Sequence, residues 1–312
     1  MRIRPAIVLV VLILAACQSP AGSSSASSAA TVSQPATIGS ILFGRYAETT
    51  DEWRIFTIDP DGSNERELVL PGSNGGPRWS PDGTRLMAYA ASPQGLLFAG
   101  MANADGSGWT ILNSPDATLQ LGCRAWSPDG LRLACEGFDE TDAGRNGLYT
   151  VRASDGGDLT RLTSSPAGFH DDAVDYAPDG SRLLFGRIPL DEGVLGTSFS
   201  VNVDGTGLVE QPRAYGAGRW SPDGTGILVS NEGKLYLLDE EGNNAVAIEI
   251  PGSDGNAYGA TWSPDGTQIA FSYMPPDQVV KIADLFLMNR DGSGLTRLTK
   301  TSAWEEFADW SR

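Results

Sequence analysis

Trp79-Ser80-Pro81-Asp82-Gly83 is the stretch that decides the fold, because the chain keeps returning to it. Full copies start at Trp126, Trp220 and Trp262, a variant reads Tyr176-Ala177-Pro178-Asp179-Gly180, and a last copy begins at Trp310-Ser311, one residue before the final position. The copies are spaced by 42 to 50 residues. A fixed period of that length means stacked supersecondary units, and strand-rich units of that length are propeller blades.

Each Pro-Asp-Gly lies between apolar runs, as with Leu86-Met87-Ala88-Tyr89 after the first copy. Proline presets the first central residue of a type I turn, Asp suits the second, and Gly takes the left-handed position that closes a hairpin. A second turn follows in every unit, at Asp61-Gly62, Asp105-Gly106, Asp155-Gly156, Asp204-Gly205, Glu241-Gly242 and Asp291-Gly292. Runs such as Leu148-Tyr149-Thr150-Val151 precede these turns and are nearly continuous in apolar residues, as expected of strands covered on both faces. The pattern predicts four strands per unit, A to D.

Ile41-Leu42-Phe43-Gly44-Arg45 reads as a B strand without its own Trp motif, and Asp309-Trp310-Ser311-Arg312 as an A strand without its B strand. Together they make one blade from both ends of the chain, which removes the open edges of the ring. The expected fold is therefore all-β, a six-bladed propeller over residues 39–312 with about 46 residues per blade.

These repeats resemble the TolB-like propellers, a subgroup of the WD-like repeats, over residues 39–312. The Trp-Asp and Gly-His signatures of true WD repeats do not recur. TolB carries an amino-terminal domain before its propeller, where this chain has a short tail. The resemblance implies the fold and a place in the cell envelope, but no role in a Tol complex.

Residues 1–16 read as a lipoprotein signal peptide. Arg2 and Arg4 form its basic region, and Ala6 to Leu14 are apolar but too short to span a bilayer. Leu14-Ala15-Ala16-Cys17 resembles a bacterial lipobox, which implies lipidation at Cys17 and export to a membrane surface facing the periplasm or the cell exterior. Residues 17–38 then form a Ser- and Ala-rich tether without charge, with a reach on the order of 25 Å. The membrane is expected to be touched through the lipid anchor only.

The formal net charge is −17, and removing Arg2 and Arg4 leaves 20 basic against 39 acidic residues. Such a surface repels phosphate backbones, so nucleic acid is excluded as a partner. Cys123 and Cys135 flank the Trp126 turn symmetrically about Asp129, which places them opposite each other on strands A and B. Export favours a disulfide between them, contributing up to roughly 3 kcal/mol in the chain-entropy model.

The A–B and C–D turns share one face of the ring and are short and alike. The D–A and B–C loops share the other and vary, as at Gly137 to Gly147, Gly186 to Thr197 and Ser272 to Asp284. Length variation confined to one face marks the binding side of a repeat protein. The residues just before each A strand converge there, and the candidate ligand-binding set is Asn74, His170, Asp171, Asp172, Tyr215, Asn256, Tyr258, Trp304, Glu305 and Glu306. His170 is the only histidine.

Two readings of this set stay open. Asp171, Asp172, Glu305 and Glu306 suit an oxygen-rich Ca²⁺ site, with Asp171 and Asp172 the metal candidates, or they cap loops and keep the face wet. Trp304 and Tyr258 suit stacking against a sugar or peptide, whereas the Trp residues of the repeats belong to blade packing. No hydrolase elbow, phosphate loop or zinc-protease motif appears, no cofactor is expected, and no nucleophile accompanies His170. Prolyl oligopeptidases and oligogalacturonate lyases resemble this repeat family, but the former add a hydrolase domain and the latter use several metal-ligating histidines. The expectation is a non-catalytic monomer binding an envelope protein, peptide or glycan through the D–A/B–C face. A propeller lyase or hydrolase using His170 and nearby carboxylates, and a spacer without ligand, are the alternatives.

Overall fold

Six four-stranded antiparallel sheets form the ring. The computed structural model describes residues 39–91, 97–191, 196–211, 218–251, 255–276 and 282–311. The leader, Cys17, the tether and Tyr215 lie outside the described residues.

Blade I draws its inner strand β24 (Trp304–Trp310) from the chain end and β1 (Ile41–Ala47), β2 (Glu52–Ile58) and β3 (Arg66–Leu68) from its start. Ile41 pairs with Trp310 and Leu42 with Asp309, so the ring is closed within one sheet as the repeat pattern predicts. Blade II holds β4 (Asn74–Trp79), β5 (Arg85–Ala91), β6 (Leu97–Asn103) and β7 (Thr110–Ile111). Blade III holds β8 (Gln120–Trp126), β9 (Arg132–Phe138), β10 (Gly147–Arg152) and β11 (Thr160–Arg161). Blade IV runs through β12 (Phe169–Tyr176), β13 (Arg182–Pro189), β14 (Thr197–Asn202) and β15 (Val209–Glu210). Blade V runs through β16 (Arg219–Trp220), β17 (Gly226–Asn231), β18 (Lys234–Asp239) and β19 (Val246–Ile248). Blade VI comprises β20 (Asn256–Trp262), β21 (Gln268–Met274), β22 (Asp284–Asn289) and β23 (Thr296–Arg297). The inner strands β24, β4, β8, β12, β16 and β20 contact one another in turn around the axis.

The repeated motif accounts for this regularity. In the first copy the Ser80 hydroxyl donates to Asp82 at 2.6 Å and accepts the Arg85 N–H at 2.9 Å, while Asp82 accepts the Thr84 N–H at 3.1 Å. The same contacts recur at Ser127/Asp129, Ser221/Asp223 and Ser263/Asp265. The hydroxyl bonds hold these Asp carboxyls below their ordinary range. The turn glycines take positive φ, 66° at Gly83 and 70° at Gly130. A β-carbon on Gly130 would lie 3.7 Å from Pro81, and Gly180, Gly224 and Gly266 likewise face Pro128, Pro178 and Pro222, so these turns nest on the proline of the preceding blade.

The core lies between blades. Trp79 packs with Leu42, Ile55 and Leu68 of blade I, and its indole N–H donates to the Ser40 carbonyl at 3.2 Å. Trp126, Trp220, Trp262 and Trp310 are likewise buried, which assigns the repeat indoles to packing. Cys123 and Cys135 face each other across β8 and β9 and are disulfide-bonded.

All five complete A–B connections have five residues, whereas B–C connections range from two (232–233) to nine (275–283). C–D connections have six or seven residues, so length variation is concentrated on the face the sequence indicates.

Candidate functional site at the channel mouth

The inner strands carry the site, and a bulge in five of the six decides which side chains reach it. In β12, Asp172 pairs with Gly186 and Asp175 with Leu184, with Val174 bulged out between them. Three residues apart, the two aspartates would face opposite sides of a regular strand. The bulge restores them to one face, because their partners are two apart. The same offset relates Gly75 to Arg78, Tyr258 to Thr261 and Glu306 to Asp309.

At the D–A/B–C end, this upper level pairs Gly75 with Tyr89, Gly122 with Glu136, Asp172 with Gly186, Tyr258 with Ser272 and Glu306 with Gly44. Each pair has at most one large member. Where the inner strand has Gly, the second strand fills the space; a β-carbon on Gly76 would approach the Tyr89 ring to 2.6 Å.

Two groups of side chains result. Across blades II to IV, the Arg124 guanidinium lies 4.5 Å over the Tyr89 ring and pairs with Asp172 at 2.6 Å. The other Asp172 oxygen is buried without a hydrogen-bond partner, as is the Tyr89 hydroxyl. Burial pushes the Asp172 carboxyl well above the usual carboxylate range, against the pull of Arg124. His170 Nδ1 sits 2.7 Å from Glu136, and that hydrogen bond holds the imidazole pKa above its ordinary value despite partial burial.

The second group lies across blades VI and I. Tyr258 and Trp304 stack with centroids 5.6 Å apart and planes 18° from parallel. The Tyr258 hydroxyl is buried without a partner. Beside it, burial raises the Glu306 carboxyl, opposed by a hydrogen bond with Trp304.

Asp171 and Glu305, next in sequence to Asp172 and Glu306, face the other way. Asp171 is wholly buried, bound by Arg187 at 2.7 and 2.8 Å and by the Thr163 hydroxyl at 2.6 Å. Glu305 occupies the equivalent place in blade I, bound by Arg45 and by the hydroxyls of Thr299 and Thr301. Both tie the exit of one blade to the inner strand of the next. Asn74, at the same level in blade II, is buried and donates to the carbonyls of Pro71 and Gly72. Asn256 is exposed at the start of β20.

With both Asp171 oxygens engaged by Arg187, that residue is closed to a cation. Among the described residues, no three His, Cys, Asp or Glu side chains gather in a metal-holding arrangement.

Sequence reasoning missed Tyr89, Arg124 and Glu136 at the mouth, and Arg78, Asp175, Arg219 and Asp309 deeper in the channel. A signal existed for the last four. The residue before each repeat aromatic reads Arg78, Ala125, Asp175, Arg219, Thr261 and Asp309, and on a strand it points away from the buried aromatic.

No protein-family model matches the chain. The Tol-Pal system protein TolB of Anaeromyxobacter dehalogenans is 30% identical over 178 residues, covering 55% of this chain and 39% of that protein. The chain thus matches less than half the length of this curated relative. Among solved structures, TolB from Acinetobacter baumannii superposes with a TM-score of 0.68 at 17% identity, covering 88% of this chain and 66% of that one. A putative TolB from Agrobacterium tumefaciens gives 0.61 at 18% identity, with coverages of 84% and 88%. The ring is a TolB-like six-bladed propeller.

Proposed function

We propose that this TolB-like propeller is a non-catalytic binding module of the cell envelope, held to a membrane through lipidated Cys17, which takes a protein, peptide or glycan at the D–A/B–C end of its channel. The observation that carries the reading is the placement of unpartnered polar atoms at that end. The free Asp172 oxygen and the hydroxyls of Tyr89 and Tyr258 lie at one level with the stacked Tyr258–Trp304 pair. Buried polar atoms without partners are costly, and a ligand offering hydrogen bonds and a flat face would satisfy them. The relatives called TolB support the envelope setting.

The His170–Glu136 contact weighs against the lyase or hydrolase alternative. It occupies Nδ1 and raises the imidazole pKa, which reduces the neutral form that a general base requires.

Capture from envelope extract by the immobilised full-length chain tests the reading. Asp172→Asn combined with Trp304→Ala is expected to lose a partner that wild type retains. Asp291→Asn, on the C–D turn of the other face, is expected to keep it. Equal capture by all three removes the assignment of the mouth. Cys17→Ser is expected to move the protein out of the membrane fraction.

A further inference from the structure

The opposite end of the channel is a separate place. There the Ser-Pro pairs of the A–B turns form a rim around a recess of about 110 Å³. Its floor is the residue before each repeat aromatic. In ring order from blade I the floor reads Asp309, Arg78, Ala125, Asp175, Arg219, Thr261, an acid-base-small triplet that repeats after half a turn.

The two halves of this pseudo-twofold ring are used differently. Asp309 accepts the Trp79 N–H at 2.7 Å and Asp175 accepts the Trp220 N–H at 2.9 Å. Arg219 then serves both acids, 3.6 Å from Asp175 and 3.8 Å from Asp309. Arg78, its counterpart by sequence, has no carboxylate within 4 Å among the described residues. Its Nη1 donates to the Pro77 carbonyl at 3.1 Å, and its Nε is buried without a partner. Two guanidiniums repel each other at one pair of acids, so Arg219 occupies the place and Arg78 is left out. Burial, reinforced by Arg219, depresses the Arg78 pKa to about 9, so it stays charged at neutral pH.

The channel carries charges of both signs, with Glu306 at its mouth. Arg78, Arg124 and Arg219 face Asp172, Asp175 and Asp309 along the channel, with His170 and Glu136 behind Asp172. Burial pushes the Asp172 and Asp175 carboxyls up toward protonation, which weakens their opposition to an anion.

We propose that this recess binds a small monocarboxylate on the free Nε edge of Arg78, with Arg219 as the second cation. A guanidinium edge matches a carboxylate as a two-point fork, and a buried unpartnered N–H is the donor most improved by such a ligand. Asp175 and Asp309 also line the recess and disfavour a dianion, so inorganic phosphate should bind more weakly than acetate. Uptake of the anion draws a proton onto Asp175, which lines the recess and whose carboxyl burial already raises, and this makes binding tighter at lower pH. The site is independent of the mouth and of what binds there.

Acetate titrated into the full-length chain tests this, followed by calorimetry and by the fluorescence of the five tryptophans around the recess. One saturable site is expected, tighter at pH 6 than at pH 8. Arg78→Gln should weaken it about tenfold or more, the worth of one charge-assisted hydrogen bond. Arg152→Gln, exposed at the end of β10 and outside the recess lining, should leave it unchanged. Arg78→Lys keeps the charge but loses the fork, and should fall between. The absence of a saturable signal, or equal affinity in Arg78→Gln and wild type, overturns the site. Phosphate binding tighter than acetate overturns the monocarboxylate assignment. Should Arg78→Gln fail to melt cooperatively, unchanged affinity in Arg78→Lys is equally decisive against it.

Discussion

At the scale of single residues, neighbouring carboxylates have been sorted into different jobs. Asp171 and Asp172 have the same chemistry and adjacent positions, yet one is locked by Arg187 and the other turns a free oxygen into the channel mouth. The Asp172 carboxyl titrates above the unfolded value of about 3.9, so its contribution to stability is present at low pH and is lost as pH rises through the folded pKa. Asp172→Asn has no such loss, although it leaves Arg124 unpaired at every pH. The stability of the variant relative to wild type should therefore improve by about 1–2 kcal/mol between pH 4.5 and 7.5. Thermal melts at the two pH values measure this, and a gap that does not move with pH contradicts the burial argument.

At the scale of the element, the A–B turn is the unit the chain repeats, and one copy is defective. Blade IV has Ala177 where the other complete turns have a buried Ser, and Asp179 there bonds only Ser181. The backbone closure is retained, with the Ala177 N–H to Arg182 carbonyl at 2.9 Å. Ala177→Ser should restore the hydroxyl bridge to Asp179 and to the Arg182 N–H. A gain of about 0.5–1 kcal/mol in urea unfolding is expected, as for other repairs toward a consensus. No gain would mean that the hydroxyl merely occupies the turn in the other copies.

At the scale of the whole molecule, one short segment at the chain end holds the ring shut. Trp310 packs with Ile41, Phe43 and Leu287, Asp309 caps the Trp79 N–H, and Ser311 bonds the backbone at Ser40 and Gly39. Deleting residues 309–312 should lower unfolding free energy by about 5 kcal/mol, because a buried indole alone is worth about 3–5. It should also broaden the transition, since the ring would regain open edges. A melt indistinguishable from wild type would show that blade I is held from the chain start alone. The same ring closure places blades I and IV across the channel from each other, and with them the acids Asp309 and Asp175 that Arg219 spans.

The blade count, the strand order, the shared blade and the Cys123–Cys135 pairing were all legible in the linear chain, because turn chemistry and alternating apolar runs are local and recur. The mouth was legible only as a neighbourhood. His170, Asp172, Tyr258, Trp304 and Glu306 fall there as the loop pattern indicates, but Asp171 and Glu305 are structural ties, and Arg124, Glu136 and Tyr89 gave no local sign. Facing depends on the bulges at Val174 and its equivalents, which shift register by one and cannot be read from period-two spacing. The contrast between Arg78 and Arg219 went further beyond the sequence. Both precede a tryptophan in the same motif, and only the closed circle sets two arginines competing for one pair of aspartates, because charges from blades distant along the chain meet at a single axis.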